Sequence, residues 1–115
     1  MNKDQILNAT DSTIEPVVIS EWNDTCHVRT MDGYARGQFE FLCAGKAADM
    51  ANARIMERLL VCAMCDEDGN RLFDGTEDDV MTLSKRSGAA LAKLWRVAAP
   101  LNGIGKAAVE DAKGN

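Results

Sequence analysis

Lys46-Ala-Ala-Asp-Met50-Ala-Asn-Ala-Arg-Ile55-Met-Glu-Arg-Leu-Leu60-Val-Cys-Ala-Met-Cys65 is the stretch on which the reading of the fold turns. It contains no Pro or Gly and is rich in strong helix formers, and Met50, Ala53, Met56, Leu60 and Met64 recur every three or four positions, so Lys46 to Cys65 reads as one helix. Ile55, Leu59 and Cys62 widen the apolar stripe beyond what one partner helix would cover, which predicts a central helix. The run Leu59 to Cys65 places Cys62 and Cys65 in that buried surface, where a free thiol behaves as a small hydrophobe.

Upstream, Pro16 introduces Val17-Val18-Ile19-Ser20-Glu21-Trp22, and the turn signal Asn23-Asp24 separates it from Thr25-Cys26-His27-Val28-Arg29-Thr30-Met31. These runs predict a β-hairpin, with Val17 or Val18, Trp22, Cys26 and Val28 packed on helices because a hairpin alone is barely stable in water. Asp32-Gly33 caps a short helix, Tyr34 to Cys43, whose inward positions are Phe39, Leu42 and Cys43. Met1 to Thr13 is a polar tail in which Ile6 and Leu7 can form a short helix or docking anchor.

Downstream, Thr76 followed by Glu77, Asp78 and Asp79 is a helix N-cap with acids in the first turn, and Lys85 and Arg86 close that helix. Ser84 or Ser87 opens a further helix through Ala99 with the stripe Leu91, Leu94, Trp95 and Ala98, stopped by Pro100 and Gly103. The expectation is a mainly α-helical α+β protein: an N-terminal β-hairpin, then a compact bundle of about four helices. Residues 1–13 form a flexible tail, 14–103 one domain and 104–115 a weakly ordered C-terminal tail.

Charge is distributed unevenly. The net charge is −5, yet Asp66, Glu67, Asp68, Asp74, Glu77, Asp78 and Asp79 stand against Arg71 alone in one segment of −6. Asp66, Asp68, Asn70, Asp74 and Glu77 match five ligand positions of a calcium loop. The position that needs a sharp glycine turn is Arg71, with Gly69 two places early, so the preferred reading is a tight turn leading into an acid-started helix. The expectation is no metal and no cofactor. Zinc fails as well: beyond Cys62 and Cys65, only the adjacent pair Cys26-His27 could contribute, and neighbours on a strand point to opposite faces.

Other classes are excluded by what the sequence lacks. No run approaches the ~20 apolar residues of a membrane span, and the first residues have no signal-peptide core, so a cytoplasmic protein with reduced cysteines is expected. Lys85, Arg86, Lys93 and Arg96 ring an Ala- and Leu-rich helix without a nucleic-acid-reading motif. His27 is the sole histidine, no phosphate loop or nucleophile motif is present, and no catalytic residues are assigned: the chain reads as a non-enzyme.

Taken in order, Val17 to Trp22, Val28-Arg29-Thr30-Met31, Cys65-Asp66-Glu67-Asp68-Gly69-Asn70-Arg71-Leu72-Phe73 and Leu101-Asn102-Gly103-Ile104 resemble the tail assembly chaperones of long-tailed bacteriophages. The resemblance implies a protein that binds the apolar-rich tape measure protein and keeps it soluble in the cytoplasm of the bacterial host until tail tube subunits polymerise around it. It also implies a longer frameshifted form that recruits the tube protein, and absence from the mature virion. On this reading Leu91, Leu94 and Trp95 are candidate client contacts. Asp74, Asp78 and Asp79 of one copy would meet Lys85, Arg86, Lys93 and Arg96 of the next in a homo-oligomer. A small calcium-responsive or regulatory domain is the alternative.

Overall fold

Alternation decides the hairpin. In a computed structural model, which describes residues 1–44 and 54–104, strand β1 (Ile14–Ile19) turns Val17 and Ile19 into the core and Val18 to solvent. It pairs antiparallel with β2 (Asp24–Arg29), Val17 opposite Cys26 and Ile19 opposite Asp24. The strand stops short of Trp22 because Ser20–Trp22 forms a single 3-10 turn, closed by Asn23 at φ 54. Asn is among the few non-glycine residues that tolerate this left-handed geometry. Trp22 still packs on the core from the turn, and Lys93 anchors it by donating to Glu21 Oε1 at 2.7 Å. That contact holds the Glu21 carboxyl below its usual range.

The chain then forms three helices around a fourth. Besides the exposed α1 (Lys3–Leu7) near the N-terminus, these are α2 (Gly33–Cys43), α3 (Ile55–Ala63), α4 (Glu77–Leu83) and α5 (Gly88–Leu101). The expected α+β architecture is observed. Helix α3 packs against α2, α4, α5 and β2, and every residue from Glu57 to Ala63 is buried. It is the central helix that the broad stripe predicted. Its expected start at Lys46 lies outside the described residues.

Its expected end is corrected. The helix stops at Ala63, and Met64–Cys65 becomes strand β3, paired antiparallel with β2 through His27–Cys65 and Val28–Met64. Helical spacing and a short buried strand are indistinguishable in a continuous apolar run, and pairing with β2 decides the matter here. The sheet order is β1-β2-β3, leaving β1 at an edge with Pro16 in its middle. Proline is tolerated there because an edge strand need not donate on both sides.

Two other boundaries move. Helix α4 ends at Leu83, so Lys85 and Arg86 lie in the turn beyond it; Ser87 rather than Ser84 caps α5, accepting from the Ala90 N–H. Helix α5 runs through Pro100 to Leu101. The Ile104 N–H donates to Ala99 O at 2.8 Å and the Gly103 N–H to Pro100 O, a Schellman closure with Gly103 at φ 72 and Ile104 in the core. Ile104, assigned to the tail by sequence, therefore belongs to the domain; residues 105–115 lie outside the described range. Asn102 ties this end to the start of α2: its Oδ1 accepts from the Met31 N–H at 2.7 Å, and its Nδ2 donates to Arg29 O at 3.1 Å.

These closures make two substitutions informative. Gly103→Ala meets no steric obstacle, so its cost is the left-handed backbone alone, about 1 kcal/mol. Asn102→Ala leaves the Met31 N–H and the Arg29 carbonyl without their side-chain partner, and about 2 kcal/mol is expected. Urea denaturation of both variants should give this order.

Candidate protein-binding site

Helix α2 has two faces that carry aromatic residues. Asp32 caps it by accepting from the Ala35 N–H at 2.8 Å, and Ala35, Phe39 and Leu42 turn into the core. Tyr34 and Phe41, seven residues apart, fall outside that stripe and stand 74% and 82% exposed. Gly37, where an added Cβ would meet nothing within 4 Å, leaves space between the two rings. The result is a groove of about 850 Å³, walled on its other side by Gly75, Thr76 and Glu77 at the start of α4. Among these lining residues there is one carboxylate and no Lys or Arg.

Fixed polar groups hold the groove open. Arg58, on α3 and 2% exposed, donates through Nη1 to Leu42 O at 3.1 Å and to the two carboxylate oxygens of Glu77 at 3.0 and 2.7 Å. Arg71 donates to Gln38 Oε1 and, at 3.2 Å, to Val61 O, while Gln38 Nε2 donates to Asp74 O at 3.1 Å. Thr76 and Asp79 form a capping box, and Asp79 Oδ2 also accepts from the Asp74 and Gly75 N–H groups at 3.0 and 3.1 Å. The α2 and α4 walls are thus tied to the same buried helix. A surface held this way loses little conformational entropy when it receives a partner.

The residues singled out by sequence are dispersed. Leu91 and Leu94 are core residues, and Trp95 is half-buried against the core, so as folded the first two present no surface to a partner. Asp74, Asp78, Lys85, Arg86 and Arg96 are exposed, whereas Lys93 is engaged with Glu21 and Asp79 with its cap. The five calcium-loop positions do not converge. Glu77 turns to Arg58, and Asp66 accepts from the Asp68 and Asn70 N–H groups and from Asn70 Nδ2, which holds its carboxyl below the usual range. Among the described residues no group of three His, Cys, Asp or Glu side chains could hold a metal.

Gly69, at φ 90, makes this turn feasible, and its carbonyl accepts from Arg29 at 2.7 Å. Burial pushes the Cys62 thiol up to about 11 and raises those of Cys65 and Cys26. No described helix is long and apolar enough to cross a membrane.

Helical periodicity in α2 marks only its core-facing positions and so does not reveal the groove. Tyr34 and Phe41 are legible as two aromatics off that stripe and one above the other. The arrangement of hairpin, central helix and flanking helices has a counterpart among solved structures: the tail assembly chaperone of bacteriophage HK97, with a TM-score of 0.58 over 85% of this chain and 90% of that one, at 20% identity. The two chains share a fold. Neither a protein-family model nor a curated protein matches the sequence.

The buried ion pair that supports both groove walls is asymmetric. Glu77→Ala strands the Arg58 charge inside the protein and should cost about 3 kcal/mol, whereas Arg58→Met leaves a carboxylate that is 49% exposed and can be hydrated, and should cost less than half as much. Chemical denaturation of the two variants tests the order. For the thiols, a folded pKa above the unfolded value means that stability is complete below pH 9.0 and falls as pH rises toward about 11. Cys62→Val should flatten that alkaline limb, and at pH 8 native protein should leave Cys62 and Cys65 unlabelled by a thiol reagent that modifies them once urea is added.

Proposed function

We propose that the chain is a phage tail assembly chaperone that works by binding polypeptide rather than by catalysis. The observation that carries this reading is a rigid, aromatic-walled groove on a chain with the fold of the HK97 tail assembly chaperone. Its client is the tape measure protein, whose long apolar-rich sequence needs covering in the host cytoplasm before the tube forms. An amphipathic client helix fits the groove best: apolar side chains enter between Tyr34 and Phe41, and a flanking Lys or Arg meets the exposed Asp78 on the first turn of α4.

Several copies act together on one client. The exposed acids Asp74 and Asp78 of one copy and the exposed Lys85, Arg86 and Arg96 of another supply complementary charge for that association. A longer, frameshifted form would add the recruitment of tail tube protein, and the chaperone would leave before the virion is complete.

Co-expression with a tape measure protein should move that client from the pellet to a soluble complex, unaffected by a chelator. Phe41→Glu should abolish the rescue while the chaperone itself stays soluble and folded. A client that remains insoluble with the wild-type chain would overturn the reading.

A further inference from the structure

Asn102-Gly103 is the only Asn-Gly pair in the chain, and this dipeptide carries a reaction of its own. Glycine has no Cβ to keep its nitrogen away from the preceding side chain, so the Gly103 nitrogen can reach Asn102 Cγ wherever the backbone between them turns freely. The fold prevents that turn. At ψ 13 the Gly103 nitrogen is rotated toward the Asn102 nitrogen and away from Cβ, so a ring through Cγ cannot close. The Gly103 N–H is donated to Pro100 O at 3.1 Å, and Arg36 Nη1 fixes the peptide plane by donating to Asn102 O at 3.0 Å. The side-chain amide is committed as well: Oδ1 accepts from the Met31 N–H at 2.7 Å, and Nδ2 donates to Arg29 O at 3.1 Å and Ala98 O at 2.9 Å.

These restraints join the end of β2, the start of α2 and the end of α5, so they are lost together when the C-terminal turn leaves the body. We propose that Asn102-Gly103 is a modification site guarded by the fold, which changes covalently when the chain is open and then bars its return. The Gly103 nitrogen gives its proton to solvent and bonds to Cγ, and ammonia leaves, closing a succinimide. Water then opens the ring at either of two bonds. Cleavage between the nitrogen and Cγ leaves an aspartate, whereas cleavage between the nitrogen and the main-chain carbonyl carbon of residue 102 routes the chain through Cγ as an isoaspartate. Either way one water is consumed and one ammonia is released.

Neither product restores the closure. An aspartate turns a carboxylate oxygen, which has no hydrogen to donate, toward the Arg29 and Ala98 carbonyls. An isoaspartate adds a carbon to the main chain. The bond from the Ile104 N–H to Ala99 O and the seat of Ile104 in the core both depend on the original spacing. The turn therefore records time spent unfolded, and a chain left open long enough is withdrawn from the folded pool, whatever partner the protein binds.

The test incubates the full chain in mildly alkaline buffer with and without guanidinium chloride and maps the Asn102 peptide by mass spectrometry for replacement of the amide by an acid. The unfolded chain should convert at least about tenfold faster than the folded one, because the native rate is limited by the fraction of molecules that are open. After dilution of a partly converted sample, converted chains should concentrate in the fraction whose Cys62 still reacts with a thiol reagent, and unconverted chains in the fraction where that buried thiol is closed off. Gly103→Ala, whose methyl group crowds the attacking nitrogen, should convert at least about tenfold more slowly in denaturant and refold after the same treatment. Equal rates with and without denaturant would overturn the proposal, as would converted chains that close over Cys62 as completely as unconverted ones, or a Gly103→Ala chain that converts as fast as the wild type.

Discussion

Helix α3 is apolar on nearly all sides and yet carries Glu57 and Arg58, and the burial of those two charges constrains everything packed around it. A fully buried Leu or Val contributes roughly 1.5–3 kcal/mol, so Leu59, Leu60 and Val61 drive the helix inward. An ionised side chain can follow only if a partner is built for it. Arg58 finds Glu77 at the first turn of α4 and the Leu42 carbonyl near the end of α2, and Glu57 lies 2.8 Å from the Ser84 hydroxyl at the end of α4. The position of α4 relative to α2 is therefore set from below, by side chains of α3.

This explains why the acidic segment is a support rather than a ligand cage. Asp66 closes a turn, the Asp79 carboxylate completes the capping box begun by Thr76, and Glu77 neutralises a buried guanidinium. These three carboxylates each have a task in the chain, and the groove between α2 and α4 is a by-product of holding two helices at a fixed distance. Its supporting guanidinium groups are paired through their terminal nitrogens, while the buried Nε atoms of Arg58 and Arg71 find no partner among the described residues.

Much of this was legible in the sequence. The hairpin, the Asp32 and Thr76 caps and the centrality of α3 follow from periodicity and cap chemistry, which are local. What was not legible is non-local. Met64 and Cys65 continue a helical pattern and become strand only because β2 offers unpaired backbone. Leu91 and Leu94 look as suitable for a partner as for a core, and only the positions of α3 and the sheet decide that they are internal. Tyr34 and Phe41 required knowing which side of α2 faces α3. Arg58, the residue on which the groove depends, sits in an apolar run with no local sign of its distant acid.

The edge strand has a further consequence. At the middle of β1 the backbone has no N–H, because Pro16 stands there, and Glu15 beside it is exposed. An extended peptide seeking to prolong the sheet would find a broken ladder and a carboxylate. The sheet is thus closed to strand addition along this edge, while the exposed rings of Tyr34 and Phe41 stand on a helix, away from it.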